Sequence, residues 1–125
     1  MAEELDTFKR QELQKALALR ALERERRRAK RAKDDLIEQL KTAGGRRVFW
    51  KHLSYAGYFT LSFVQGAPDA TANNEGMRAV GMKMFADLMD AAPEAYFQMT
   101  RENASEQAQD RAEDEKMTQE ANSDA

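Results

Sequence analysis

Large apolar side chains are concentrated between residues 42 and 103, where most recur every three or four positions. This spacing places them on one face of an α-helix. It predicts a helix over residues 46–58, a helix over 74–91 and a last helix that starts at Pro93, the position at which proline fits best. The predicted core residues are Phe49, Trp50, Leu53, Met77, Val80, Met84, Phe85, Leu88, Tyr96 and Phe97.

The segments between these helices have a different composition. Residues 57–65 are aromatic and β-branched, but a single short strand has no pairing partner elsewhere in the chain, so we predict an irregular connection or a short helix. Residues 66–74 contain Gly, Pro, Asp and Asn and predict a loop. The pair Gly44 and Gly45 predicts the end of the preceding helix, because glycine adopts left-handed backbone conformations readily.

Residues 1–41 predict one long helix, since they lack Gly and Pro and are rich in strong helix formers. Asp34 and Asp35 allow a break near residue 33. The helix carries an imperfect apolar stripe that is typical of docking or coiled-coil contact rather than of a globular core. The predicted partner-contact residues are Leu5, Phe8, Leu13, Leu17 and Leu22.

These patterns together predict an all-α protein. Its parts are a basic amphipathic helix over 1–41, a helical core domain over 42–103 and an acidic tail over 104–125. The tail has no large apolar residue except Met117, and we predict a frayed helix or disorder there.

Charge is distributed unevenly along the chain. Residues 1–33 hold 11 Lys or Arg against 6 Asp or Glu, whereas residues 101–125 hold 3 against 8, so the net charges are +5 and −5. Such asymmetry indicates a partner at one or both ends, although two solvated segments explain it equally well. The candidate phosphate-binding residues in the basic helix are Arg24, Arg26, Arg27, Arg28, Lys30, Arg31 and Lys33.

Those cations favour three interpretations, which the sequence leaves open. The helix neutralises phosphates of DNA or RNA without base specificity, it contacts an acidic protein, or it is simply solvated. No aromatic residue is interleaved with the cations for base stacking, and the overall pI of about 5.5 is unlike that of a dedicated nucleic-acid binder.

Candidate chemistry is sparse. The chain has no cysteine and a single histidine, His52, which excludes disulfides, thiolate zinc sites and multi-histidine metal sites. Ser54 is too close to His52 along a helix to serve as its nucleophile. We therefore expect no catalytic residue, no metal, no cofactor and no enzymatic activity. No apolar run approaches the ~20 residues that span a bilayer, and no signal peptide is evident, so no membrane anchor is expected.

Four polar residues in the core region are predicted to be structural. Arg46 and Arg47 start a helix, where positive charge opposes the helix dipole, so they need a carboxylate partner. Glu75 is the predicted partner, and it lies close to Arg78 in the sequence. We expect an ion pair inside the domain.

The same residues carry a resemblance. A Gly45-Arg46-Arg47 helix start, the aromatic pair Phe49-Trp50, the run Gly57-Tyr58-Phe59, an E-G-x-R-x-V-G pattern over 75–81 and a P-E-A-Y helix over 93–96 follow in order. This combination resembles the Bbp-nineteen-like phage domain family, over about residues 42–103. The family is encoded by tailed bacteriophages among their head-assembly genes and has no known enzymatic residue to transfer.

The resemblance implies a small structural or assembly protein of the virion, present in the host cytoplasm during assembly. The expected partners are portal, capsid or other virion proteins, contacted in multiple symmetric copies, with DNA as a possible non-specific partner. Internal and portal-associated positions at the head–tail vertex both fit. Two alternatives stay open, namely a transient scaffold-like head-assembly factor and a non-specific nucleic-acid-binding accessory protein.

Overall fold

The computed structural model describes residues 1–124, so the final residue of the predicted acidic tail, Ala125, lies outside the described residues. Four helices are present in this part of the chain, with no β-strand: α1 (Ala2–Leu40), α2 (Ala43–Tyr55), α3 (Pro68–Ala91) and α4 (Pro93–Ser123). The predicted all-α class is confirmed. The chain divides into two units, residues 1–36 and a second unit that starts at Ile37 and holds the last turn of α1 with α2, α3 and α4.

The turn between α1 and α2 is short, and its geometry differs from the expected one. The first helix continues to Leu40 without a break near residue 33. Thr42 then caps α2, because its Oγ1 accepts a hydrogen bond from the Gly45 amide at 3.0 Å. Neither Gly44 nor Gly45 has a positive φ, so the predicted left-handed helix end is wrong. A Cβ on Gly45 would lie 1.8 Å from the Gln39 carbonyl oxygen, and this close backbone approach is what requires glycine.

Residues 56–67 form the irregular connection between α2 and α3. The left-handed conformation occurs here, at Gly57 and Gly66, with φ values of 72° and 73°. Two polar side chains of α3 hold the connection in place. Thr71 Oγ1 accepts from the Val64 amide at 2.9 Å, and Asn74 Nδ2 donates to the Ser62 carbonyl at 3.3 Å.

The third helix starts at Pro68, and the predicted loop over 66–74 is therefore wrong from residue 68 onward. The residues of its inner face are three or four positions apart. They are polar or small in the first part of the helix and apolar in the last part. This face consists of Thr71, Asn74, Arg78, Gly81, Phe85 and Leu88, which are buried or half-buried.

Two predicted core residues of α3 are consequently misplaced. Met77 and Val80 are exposed, because the face directed at the connection is the hydrogen-bonding one, not the apolar one. The buried face is instead centred on Gly81. A Cβ there would meet Ala56 and Tyr58 at 3.1 and 3.3 Å, so the connection packs directly on the helix backbone.

The fourth helix starts at Pro93, as predicted, and continues to Ser123, where the sequence indicated a frayed or disordered tail beyond residue 103. It buries Ala95 and Met99 and half-buries Tyr96. Phe97 is exposed, so its assignment to the core is wrong, because it lies about 200° around the helix from Met99 and from Ala95.

The core is small and lies where α2, α3 and α4 meet. Its fully buried side chains are Leu53, Leu88 and Met99. Phe49 is buried as predicted, and Trp50, Met84, Phe85 and Tyr96 are half-buried. Stacked or edge-on ring contacts link the three helices through the connection, with centroid separations of 4.7 to 5.2 Å between successive rings of Trp50, Phe59, Tyr58, Phe85 and Tyr96.

Candidate functional site

A buried arginine organises the start of α2. Arg46 Nε and Nη2 both lie 2.9 Å from Glu102 Oε1, and Nη1 donates to the Leu40 carbonyl at 2.9 Å. The guanidinium thereby ties α2 to α4 and satisfies a carbonyl left open at the end of α1. An ion pair inside the domain was predicted for Arg46, but its carboxylate is Glu102 and not Glu75.

The other predicted structural polar residues do not join this pair. Arg47 and Glu75 are exposed on their helices. Arg78 is half-buried on the inner face of α3, and in the described part of the chain its Nε is buried without a hydrogen-bond partner. Glu102 was missed because it is 56 positions from Arg46 and follows the P-E-A-Y motif without belonging to it.

A groove of about 320 Å³ lies beside this ion pair, between α2 and α4. Basic residues of α2, Arg47 and Lys51, face acidic residues of α4 across it. Lys51 Nζ lies 5.5 Å from the centre of the Tyr55 ring, which is a cation–π distance. The full lining is Arg46, Arg47, Trp50, Lys51, Ser54, Tyr55, Met99, Glu102, Asn103 and Glu106.

The connection presents the most exposed apolar side chains of the second unit. Leu61 is 87% exposed and Phe63 is 71% exposed, and Phe59 and Val64 are also exposed. Large apolar side chains exposed close together in sequence are unusual on the surface of a small polar domain. We name these four residues the connection surface.

The five predicted partner-contact residues of α1 are all exposed. They do not lie on one face, because residues of a helix are separated by about 100° per position. Leu5, Phe8 and Leu22 lie on one side, whereas Leu13 and Leu17, four positions apart, share another side. Leu19, which is not among the predicted partner-contact residues, shares the side of Leu5 and is 62% exposed.

The seven candidate phosphate-binding residues, Arg24, Arg26, Arg27, Arg28, Lys30, Arg31 and Lys33, are also exposed on α1. Arg24 Nε donates to the Arg20 carbonyl at 3.4 Å. Together with Arg20 they make eight cations over residues 20–33. These cations point to all sides of the helix, so the segment has a dense positive surface and not a shaped site.

The single histidine and the neighbouring serine both contact backbone carbonyls of their own helix. His52 is exposed, its Nδ1 lies 2.8 Å from the Val48 carbonyl oxygen, and Ser54 donates to the Trp50 carbonyl at 2.9 Å. Within residues 1–124, no group of three or more His, Cys, Asp or Glu side chains is placed to hold a metal ion. None of the four described helices combines the length and apolar composition needed to cross a bilayer.

The four described helices and the irregular connection define a small all-α protein. Comparison with protein families gives a match to the Bbp19-like phage protein family over residues 38–101, slightly more than half of the chain. The chain belongs to this family, and it is a phage-associated protein. Searches of curated proteins and of solved structures found no significant match.

Proposed function

We propose that the chain is a structural component of the phage virion that acts by protein–protein contacts. Its partners are portal, capsid or other head proteins, and it is made in the host cytoplasm before it enters the particle. The observation that carries the proposal is the connection surface. Leu61 and Phe63 are the most exposed large apolar residues of a unit whose core holds few fully buried side chains.

The small core supports this proposal energetically. A helical domain of about sixty residues is near the lower limit for independent stability, and contact with a partner adds to it. Covering Leu61 and Phe63 would contribute about 1.5–3 kcal/mol for each side chain removed from water. The proposal gives the chain no catalytic role.

Two other functions compete with this proposal. A scaffold-like assembly factor would use the same surfaces before DNA packaging and then leave the head; the charged α1 suits such reversible, salt-sensitive contacts. A nucleic-acid-binding accessory protein would use the basic segment of α1, and an internal virion component would bring that segment close to packaged DNA.

Quantitative mass spectrometry of purified mature particles and of DNA-free heads tests the proposal. We expect the chain in mature particles at a fixed ratio to the portal or capsid protein. Presence in DNA-free heads alone would replace the proposal with the scaffold-like function. Absence from both would contradict any structural role and leave the nucleic-acid function as the alternative.

A further inference from the structure

Six exposed residues of α1 form a continuous seam with the spacing of a coiled coil. They follow one another at intervals of three, four, three, four and three positions, and this repeat of 3.5 keeps them on one side of the helix. We name them the α1 seam: Leu5, Phe8, Glu12, Lys15, Leu19 and Leu22. Two apolar pairs therefore flank one polar pair.

We propose that the α1 seam packs against the α1 seam of a second copy of this chain, with the two helices antiparallel. The order of apolar and polar residues along the seam is symmetric about its centre. In an antiparallel pair, each seam residue therefore faces one seam residue of the partner, and each facing pair forms one layer. Leu5 faces the partner's Leu22, Phe8 faces the partner's Leu19, and each layer occurs twice, as a two-fold axis requires.

The central layer favours the antiparallel orientation. Glu12 and Lys15 lie 3.5 Å apart within one chain and are both exposed. An antiparallel copy places Glu12 opposite the partner's Lys15, and the reverse pair forms on the other side of the axis. A parallel copy would place Glu12 against Glu12 and Lys15 against Lys15, which is unfavourable at the centre of a seam.

The charges beyond the seam favour the same orientation. Residues 2–7 carry three carboxylates and no Lys or Arg, a net charge of −3. Residues 20–28 carry five arginines and two glutamates, a net charge of +3. Antiparallel pairing brings the acidic start of each helix (net −3) alongside the basic segment of the other (net +3), although Glu4 itself lies beside the partner's Glu25. Parallel pairing brings segments of like net charge together.

Side-chain sizes next to the seam are also complementary. Lys9 and Gln11 flank one half of the seam, and Ala16 and Ala18 flank the other half. In the antiparallel pair each long polar side chain lies over an alanine of the partner, so its methylene groups cover apolar surface while its polar end reaches water.

Sedimentation of the purified full chain, between about 1 and 200 µM, tests whether the seam pairs. We expect a concentration-dependent dimer that Leu19→Glu weakens at least about 100-fold, because each dimer loses two buried leucines and gains two buried carboxylates. Leu17→Glu is the matched control, since Leu17 lies about 160° away from Leu19. It should leave the dimer unchanged, and both variants should keep the helical content of the parent.

Cross-linking establishes the orientation of the two helices. Because the chain has no native cysteine, only the introduced cysteines can react. Glu4 and the partner's Glu25 flank the antiparallel seam at the same level. We expect a short bis-maleimide to link a mixture of Glu4→Cys and Glu25→Cys chains but neither variant alone, because two copies of residue 4 are about 30 Å apart in this arrangement.

Several results would overturn the inference. They are a monomer over the whole concentration range, a dimer that survives Leu19→Glu, or cross-linking of Glu4→Cys with itself, which indicates a parallel pair. The inference rests on the proposed function of protein–protein contact and deepens it by naming a second copy as one partner, but it is measured on the purified chain. A dimer that is absent from virions would uphold the pairing and contradict the proposed function, whereas a monomer found in virions would do the reverse.

Discussion

Arg46 and Glu102 form an ion pair that joins the first turn of α2 to the middle of α4, with two nitrogen–oxygen distances of 2.9 Å. The arginine is 8% exposed, and its third contact is the Leu40 carbonyl. The Arg46 guanidinium thus joins the end of α1, the start of α2 and the middle of α4 beside a core whose apolar content is small. The close approach of Gly45 to the Gln39 carbonyl further constrains the α1–α2 turn.

Removal of the Arg46 side chain should destabilise the fold strongly. Arg46→Ala is expected to lower the free energy of unfolding by about 2–3 kcal/mol, because the Glu102 carboxylate and the Leu40 carbonyl both lose their partner. Chemical denaturation measures the change. Arg47→Ala is the control, since this neighbour is exposed and should change stability by less than about 0.5 kcal/mol. If the two substitutions lowered the free energy of unfolding equally, the ion pair would contribute nothing specific to stability.

The adjacent glycines Gly44 and Gly45 should respond in opposite ways to alanine. A Cβ on Gly44 meets Arg47 Nη2 at an ordinary 3.8 Å, so Gly44→Ala should be neutral or stabilising by up to about 1 kcal/mol. A Cβ on Gly45 would overlap the Gln39 carbonyl, so Gly45→Ala should cost more than about 2 kcal/mol. Thermal unfolding of both variants tests this difference. A Gly45→Ala variant as stable as the parent would show that the Gln39 carbonyl does not lie against Gly45.

The two glycines inside α3 provide a second matched pair. Gly76 has open space around its Cβ position, whereas Gly81 faces Ala56 and Tyr58 at 3.1 and 3.3 Å. Gly76→Val should change stability by less than about 0.5 kcal/mol, and Gly81→Val should cost about 1–3 kcal/mol through overpacking. If both variants unfold at the same denaturant concentration as the parent, the connection does not pack on Gly81.

Neutralisation of the basic segment separates DNA contact from protein contact. Replacement of Arg26, Arg27, Arg28 and Arg31 by Gln should weaken duplex binding and reduce the slope of log affinity against log salt by about 3–4. The control replaces Arg101, Arg111 and Lys116, which lie on the acidic α4, and should leave that slope unchanged. We expect both variants to enter particles like the parent. Loss of the basic variant from particles would instead indicate an acidic protein partner for α1.

The sequence predicted the helical class and most helix positions, since those depend on local periodicity and on Gly and Pro. It misplaced the inner face of α3, because Thr71 and Asn74 hold the connection by hydrogen bonds while Met77 and Val80 face solvent. A pattern of apolar residues identifies the buried face of a helix only where the buried side chains are apolar. In the first half of α3 they are polar, so the pattern fails there.

The candidate site was predictable only in part, for a related reason. Arginine at the start of α2 indicated a carboxylate partner, but the choice of Glu102 depends on tertiary packing across 56 positions. The exposure of Leu61 and Phe63 had no sequence signal either, because aromatic and β-branched residues in a short connection are equally consistent with a packed segment. Leu19 was detectable, since heptad spacing from Leu5 to Leu22 includes it.

The most direct test of the proposed role compares incorporation of two tagged chains into phage particles. Cells infected by the phage express either the parent chain or the double variant Leu61→Ser and Phe63→Ser, and purified particles are quantified by mass spectrometry against the portal protein. Met117→Ser, which removes an apolar residue of α4 about as exposed as Phe63, is the control. We predict that the parent and the control enter at the same ratio, and that the double variant, although folded, enters at least about tenfold less, as expected for about 1.4 kcal/mol or more of lost contact. Equal incorporation of all three chains would contradict the connection surface as the contact, and incorporation of none would contradict the virion role itself.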